Sequence, residues 1–193
     1  MFTGIIQEIG RVQALKATST GKKLEILCPK IAKDLELGDS VAIDGACLTV
    51  EKKLKNGFEC TAIPETITKT KFKNLEKGTM VNLETSLRYG GKVSGHLVTG
   101  HVDTTAKITN ILKKNNKYEI EIEAPSTIKK YIATKGCVTI NGISLTVKEK
   151  KEKKFSIALI PFTLQETNLG TAKKGDLVNL EIDLIARYLF ENK

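Results

Sequence analysis

One stretch of this chain is written twice. Val41-Ala42-Ile43-Asp44-Gly45-Ala46-Cys47-Leu48-Thr49-Val50 returns as Val138-Thr139-Ile140-Asn141-Gly142-Ile143-Ser144-Leu145-Thr146-Val147, 97 positions further on. The same offset carries Ile63-Pro64-Glu65-Thr66 onto Ile160-Pro161-Phe162-Thr163, and residues 78–84 onto residues 175–181. At the front, Thr3-Gly4 answers Thr99-Gly100, one position out of step. A repeat restricts the fold more than composition does, because each copy must be a unit buildable twice from one plan. It covers residues 1–87 and 97–184, with the glycine-rich joint Tyr89-Gly90-Gly91-Lys92-Val93-Ser94-Gly95 between. A chain of 193 residues is long enough for two such units with their own cores.

Each copy reads as β. Leu24-Glu25-Ile26-Leu27 and Tyr118-Glu119-Ile120-Glu121-Ile122-Glu123 alternate apolar and polar residues, the pattern of half-buried strands. Asp44-Gly45 and Asn141-Gly142 stand between short apolar runs, as the tightest hairpin turns require. Many short strands with turn signals predict an all-β chain of closed or nearly closed antiparallel barrels. Brief helical turns are expected over residues 29–35 and 125–133, where a proline can open a helix. After Asp183 the period changes. Leu184, Ile185, Tyr188 and Leu189 fall at helical spacing, with Arg187 and Glu191 off the stripe. This predicts an amphipathic helix over residues 184–191 that the first copy lacks, with an apolar face suited to an oligomer contact.

The four cysteines (Cys28, Cys47, Cys60 and Cys137) include no C-x-x-C pair, so zinc and thioredoxin patterns are absent. Met1-Phe2-Thr3-Gly4 begins no basic, then apolar, export signal, and no apolar run nears the roughly 18 residues of a membrane span. The expectation is a cytoplasmic protein with free thiols, away from membranes. Its net charge of +9 sits in lysine-rich, turn-like stretches at 113–117 and 148–154. Neither stretch interleaves aromatics for base stacking, so solvated loops are expected rather than a nucleic-acid surface. Gly21-Lys22 is no phosphate loop, because Lys16 occupies the place of its first glycine.

Matched positions that differ are candidates for chemistry. Cys47 stands against Ser144, Ile5 against His101, and Glu65 against Phe162. Cys47 reads either as a nucleophilic thiol or as a small buried hydrophobe. His96 and His101 are the only histidines; were their segment a strand, five residues apart would put them on opposite faces. That argues against a shared metal, and a single imidazole there suits acid–base work or simply a polar link. Asp183 sits where a helix N-cap belongs.

Met1-Phe2-Thr3-Gly4-Ile5, Gly45-Ala46-Cys47-Leu48-Thr49-Val50, residues 94–103 and Asn141-Gly142-Ile143-Ser144-Leu145-Thr146-Val147 resemble the signature segments of the riboflavin synthase family, in order and spacing, over essentially the whole chain. The resemblance implies two tandem six-stranded antiparallel Greek-key barrels, at residues 1–89 and 97–183, and a trimerisation helix at 184–193. It implies a homotrimer that turns two molecules of 6,7-dimethyl-8-ribityllumazine into riboflavin and 5-amino-6-ribitylaminouracil, with no metal and no cofactor, the acting site lying between subunits. An association with lumazine synthase belongs to the same picture. A non-catalytic lumazine- or flavin-binding relative is the alternative, and the retained Cys47, His96 and His101 favour the enzyme.

Residues carry over by position. The resemblance implies a first site of Gly4, Ile5, Ile6, Cys47, Leu48, Thr49, Thr61, Ala62, Ile63, Pro64, Glu65 and Thr66, with Ser40 beside them. It implies a second of Gly100, His101, Val102, Lys135, Ser144, Leu145, Thr146, Ile160, Pro161, Phe162, Thr163, Leu164 and Gln165. His101 and Ser144 are expected to move protons, Cys47 to activate or place the acceptor, and Asp183 to divide between capping and catalysis. Ser40 joins them as a catalytic candidate. Phe162 departs from the family's Glu, which puts polyol binding in the second barrel in question, and Ser94 departs from a Gly.

Overall fold

Alternating apolar residues become strands, and the two copies use them in one order. The computed structural model describes residues 1–114 and 117–191. The first copy supplies β1 (Glu8–Thr18), β2 (Gly21–Leu27), β3 (Ser40–Ile43), β4 (Ala46–Thr49), β5 (Lys52–Leu54), β6 (Gly57–Ala62) and β7 (Met80–Thr85). They form a seven-stranded antiparallel sheet, β4-β3-β7-β1-β2-β6-β5. The second supplies β8 (Thr104–Lys114), β9 (Lys117–Glu123), β10 (Cys137–Ile140), β11 (Ile143–Lys150), β12 (Lys154–Leu159) and β13 (Leu177–Ile182). These close into a six-stranded barrel, β10-β11-β12-β9-β8-β13.

The extra strand of the first copy is a break, not an addition. β11 runs unbroken through a register shift between Val147 and Glu149. In the first copy the chain leaves the ladder at Val50 and Glu51, the matched place, so one strand becomes β4 and β5. Glu51 N–H still donates to Glu59 O at 2.8 Å, and the two ends of the sheet order are halves of one strand. Each copy buries its own core. Leu24, Ile26, Ile43, Phe58 and Leu83 fill the first, and Ile120, Ile122, Ile140, Phe155 and Leu180 the second.

The Asp-Gly and Asn-Gly hairpins join the copies. Asp44 and Asn141 have φ of 45° and 47°, and Gly45 and Gly142 of 82° and 80°, the mirror-image turn that glycine tolerates. The two turns meet back to back: a Cβ on Gly45 would lie 2.8 Å from Gly142 N. Asn82 Nδ2 donates to Asn141 O at 2.9 Å, and its counterpart Asn179 Nδ2 to Asp44 O at 2.8 Å. The buried Asp44 carboxylate is met by Lys71 Nζ at 3.0 Å and Asn168 Nδ2 at 2.7 Å, so its charge is paired inside the joint.

The helices fall partly elsewhere than expected. Over residues 29–35 and 125–133 only single 3-10 turns form, Ile31–Lys33 and Lys129–Tyr131, because apolar Ile31, Ala32, Leu35, Ile128 and Ile132 are drawn into the cores. The prolines that open α-helices are Pro64 and Pro161, at the starts of α1 (Pro64–Lys69) and α2 (Pro161–Glu166). The expected terminal helix is α3 (Leu184–Glu191); Asn192 and Lys193 lie outside the described residues. Asp183 caps it, its Oδ1 accepting from Ile185 N at 3.0 Å. Ile185, Tyr188 and Leu189 stand exposed. No helix among the described residues is long and apolar enough to cross a membrane. Of the lysine-rich stretches, Asn115 and Asn116 lie outside the described residues, and 148–154 is not simply a loop: Lys148–Lys150 ends β11 and Lys154 opens β12, with Lys148 and Lys154 paired to Glu119 and Glu121.

Candidate functional site

Residues 94–103 form no strand; they are an arm lying between the copies. The N-terminal arm lies antiparallel to it, with Phe2 N–H on Val98 O at 2.7 Å and Val98 N–H on Phe2 O at 3.0 Å. Each arm is gripped by a buried glutamate of its own copy. Glu84 accepts from Thr3 N, Thr3 Oγ1 and Gly4 N at 2.7, 2.8 and 2.9 Å. Glu181 accepts from Thr99 N, Thr99 Oγ1 and Gly100 N at 2.7, 2.7 and 3.1 Å. Burial raises both carboxyls above the usual range, against those bonds.

Each arm then docks on the opposite copy. Cys47 N donates to Gly100 O, and Ser144 N to Gly4 O, both at 2.8 Å. Val102 is buried in the first core and Ile6 packs on the second. The expected grouping is therefore corrected: Gly100, His101 and Val102 accompany Cys47, and Gly4, Ile5 and Ile6 accompany Ser144. Both contacts require glycine, since a Cβ on Gly100 would fall 2.7 Å from Cys47 Cβ, and one on Gly4 2.6 Å from Ser144 Cβ.

The Cys47 face is apolar. Cys47 pairs across the hairpin with Ala42 and packs with Phe2 and Val98. Beside it opens a cleft of about 440 Å³, where Ile63, just before α1, and Glu65 and Thr66 of α1 face Gly100, His101 and Val102. Pro64 starts that helix. Glu65 is paired with Lys69 at 2.8 Å, which holds its carboxyl below the usual range. Thr49 pairs with Ser40 two positions along, on the face Cys47 shares. Leu48 and Ala62 instead point into the core, and Thr61 Oγ1 donates to Glu51 at 2.9 Å.

The matched face of the second copy is polar. Ser144 pairs with Thr139 where the first copy has Ala42. His96 spans the two: Nδ1 lies 2.7 Å from Ser144 Oγ and Nε2 3.2 Å from Thr139 Oγ1. Burial lowers the His96 pKa and the Asp183 charge opposes it only in part, so the ring is neutral at pH 7 and able to take a proton. Cys137, paired with Thr146, occupies the position of Ser40; burial and then Asp183 push its thiol up. Lys135 holds a φ of 70°, the left-handed region, where the first copy has Gly38. Leu145 faces the core and Leu164 packs against it, while Ile160, Pro161, Phe162 and Gln165 are exposed and Thr163 is half-buried.

Reading the sequence alone missed His96 as the partner of Ser144, and Thr139 as its second support. The Ala42/Thr139 difference inside the repeat was the available signal. Cys28 and Cys60 are core residues, the Cys28 thiol pushed up to about 12 by burial, and the Cys60 thiol likewise raised. A larger hollow of about 880 Å³, between Lys30, Asp39, Arg88 and Lys92, borders Ile6 but neither Cys47 nor Ser144.

Comparison with known proteins agrees with the duplication. The family model described as lumazine binding domain matches twice, over residues 3–86 and 99–183. Riboflavin synthase of Bacillus subtilis (strain 168) is 40% identical over 190 residues, 98% of this chain and 88% of the relative. Riboflavin synthase of Mycobacterium tuberculosis (strain ATCC 25618 / H37Rv) is 38% identical over 193 residues, covering 98% of this chain and 96% of the relative. Among solved structures, LumP complexed with 6,7-dimethyl-8-(1'-D-ribityl) lumazine superposes with a TM-score of 0.85 at 28% identity, over 94% of this chain and 98% of the other. LumP complexed with riboflavin gives 0.86 at 29%, over 94% and 99%.

Proposed function

This chain belongs to the lumazine-binding riboflavin synthase family, and from that premise we propose that it is a riboflavin synthase. It takes two molecules of 6,7-dimethyl-8-ribityllumazine, moves a four-carbon unit from one to the other, and releases riboflavin and 5-amino-6-ribitylaminouracil. The equation balances without oxidant or reductant. One observation carries the reading: two matched faces hold unequal chemistry, Cys47 in an apolar wall and Ser144 under a neutral His96. Identical substrates that play donor and acceptor need such a pair.

One lumazine must lose a proton from a methyl group. Ser144 and His96 suit that step, since the imidazole can take the serine proton while Thr139 fixes the ring. The other must be attacked at a ring carbon. His101 and Cys47, which line one cleft, suit its activation and placement. Holding two rings face to face supplies the larger part, because orientation is worth up to about 7–11 kcal/mol. Ser40, Thr49, Thr66, Lys135, Thr146 and residues 160–165 complete the two sites, Asp183 shapes the field at His96, and Phe162 offers a ring face where Glu65 offers a carboxylate. We place the subunits in a homotrimer covering the apolar face of α3, in the cytoplasm, with lumazine synthase as an associating partner.

The test incubates the purified protein with 6,7-dimethyl-8-ribityllumazine and follows riboflavin by absorbance, with His101→Ala beside it. One riboflavin per two lumazines, slowed in the variant, is expected. The likeness to LumP complexes favours a second reading, a lumazine-binding protein without turnover; tight binding with no riboflavin formed would establish it and remove the catalytic roles.

A further inference from the structure

The arm that carries His101 is fixed at both ends. On one side Glu181 grips Thr99 and Gly100, and His101 N donates to Thr99 Oγ1 at 3.2 Å. On the other, Asp103 N donates to Leu180 O at 2.9 Å and Asp103 Oδ2 accepts from Ile182 N at 2.9 Å. The first copy makes the same clamp with a neutral residue. Gln7 N donates to Leu83 O at 2.9 Å, and Gln7 Oε1 accepts from Thr85 N at 2.8 Å. An amide is thus enough to hold an arm to its last strand. The carboxylate in the second copy has a further use: Asp103 Oδ1 receives Arg187 Nη2 of α3 at 2.8 Å. The pair is mostly shielded, with side-chain exposures of 31% for Arg187 and 15% for Asp103. The first copy has no helix at that place.

We propose that the Asp103–Arg187 pair is a positioning device: it ties the terminal helix to the His101 arm and so sets how that arm closes over Cys47. Arg187 lies on α3 nearly opposite Ile185, Tyr188 and Leu189, at 100° per residue. Whatever covers the exposed stripe therefore presses the charged face toward Asp103. The helix and the Cys47 cleft are linked through one arm, although Arg187 itself does not line that cleft. The catalytic consequence rests on the proposed role of His101; the mechanical one does not.

The test uses Arg187→Gln, Asp103→Gln and Arg187→Lys in the full chain, with two readouts. The first is the rate of Cys47 alkylation by iodoacetamide, followed by peptide mass spectrometry, with the core thiols Cys28 and Cys60 as markers of unfolding. The second is kcat and KM for lumazine conversion, alone and in a His101→Ala background. Both Gln variants are expected to raise Cys47 alkylation about fivefold, the equivalent of about 1 kcal/mol of arm closure. The core thiols stay unreactive and Arg187→Lys keeps most of the protection. The kcat is expected to fall by a similar factor with KM little changed, and the loss to vanish once His101 is absent. Unchanged Cys47 alkylation overturns the proposal, as does a kcat loss that persists undiminished without His101. If Arg187→Gln also exposes Cys28 and Cys60, Asp103→Gln decides, because it keeps the Ile182 clamp; unfolding of both makes the pair a folding element and overturns the positioning role. A protein that never forms riboflavin leaves the alkylation result standing, so the two failures are distinct.

Discussion

Replacing Glu181 by alanine tests the idea that buried carboxylates hold the crossing arms. The side chain accepts from Thr99 N, Thr99 Oγ1 and Gly100 N. Hydrogen bonds to a charged group contribute about 1.5–3 kcal/mol each, but burial of this carboxyl offsets much of that, as its raised pKa records. The stranded donors dominate the change. The Gly100 N–H is buried and the Thr99 N–H part-buried; left without partners they cost up to about 1–3 kcal/mol each, so the loss should centre near 3 kcal/mol. For a chain of this length that lowers Tm by about 10 °C. Urea and thermal unfolding of Glu181→Ala and Glu84→Ala measure it. Because Glu84 makes the same three bonds to Thr3 and Gly4, the two losses should agree within about 1 kcal/mol. Glu181→Gln should fall between, since its amide can serve Thr99 but turns a donor toward Gly100. A loss below about 1 kcal/mol for Glu181→Ala, or a wide gap between the two glutamates, would refute the reasoning.

The pH dependence follows from the same groups. Glu84 and Glu181 have folded pKa values raised above 4.5, so their contribution is fully present below that value and is lost as pH rises through the raised one. The urea midpoint should fall across that window and flatten in the double alanine variant. His96 acts with the opposite slope: its folded pKa lies below 6.5, so stability is lost as pH falls from 6.5 through the lowered value, and His96→Asn should remove that slope. Ser144→Ala should lower kcat by about 10²–10³ while leaving Tm nearly unchanged, read from steady-state rates and calorimetry together. Gly100→Ala forces a Cβ to 2.7 Å from Cys47 Cβ at a φ of 80°, and should destabilise the fold by about 2 kcal/mol or more and reduce turnover.

The β architecture was legible because hairpin chemistry and alternation act over a few residues. Asp44-Gly45 and Asn141-Gly142 fix two turns whatever the rest of the chain does. The break of one strand into β4 and β5 was not legible, for Val50 and Glu51 leave the ladder at a place that no residue type announces. The exchange of arms left only a faint mark, the single-position slip between the front of the repeat and its body. Carrying site residues over from the family resemblance, copy by copy, put Gly4–Ile6 with Cys47, because it matches positions in sequence and cannot see which barrel an arm crosses to. The partnership of His96 with Ser144 spans 48 positions and depends on that crossing. Glu65 and Phe162, in contrast, were found where the repeat put them, at matched places on α1 and α2.

Where the copies differ and where they agree is governed by the strand period. In the β3–β4 hairpin and its match, Val41 and Val138, Ile43 and Ile140, Leu48 and Leu145, and Val50 and Val147 are identical and buried. Only Ala46 and Ile143 change among the inward positions of this segment. The outward face alternates with it, and there Ser40 becomes Cys137, Ala42 becomes Thr139 and Cys47 becomes Ser144, with Thr49 and Thr146 alone kept. Inward positions must fill the same closed space, where a changed methylene is felt at once. Outward ones are answerable only to the arm that covers them. Phe2 covers the first face and His96 the second, so the substitutions and the covering residues must change as sets. Placing threonine at position 42 alone would bury a hydroxyl against the apolar Phe2 and Val98, and an unpaired buried hydroxyl costs about 1–3 kcal/mol. The unequal pair of faces is therefore built from exchanges that the barrel does not register, and it is the residue covering each face, Phe2 or His96, that makes each exchange consistent with its neighbours.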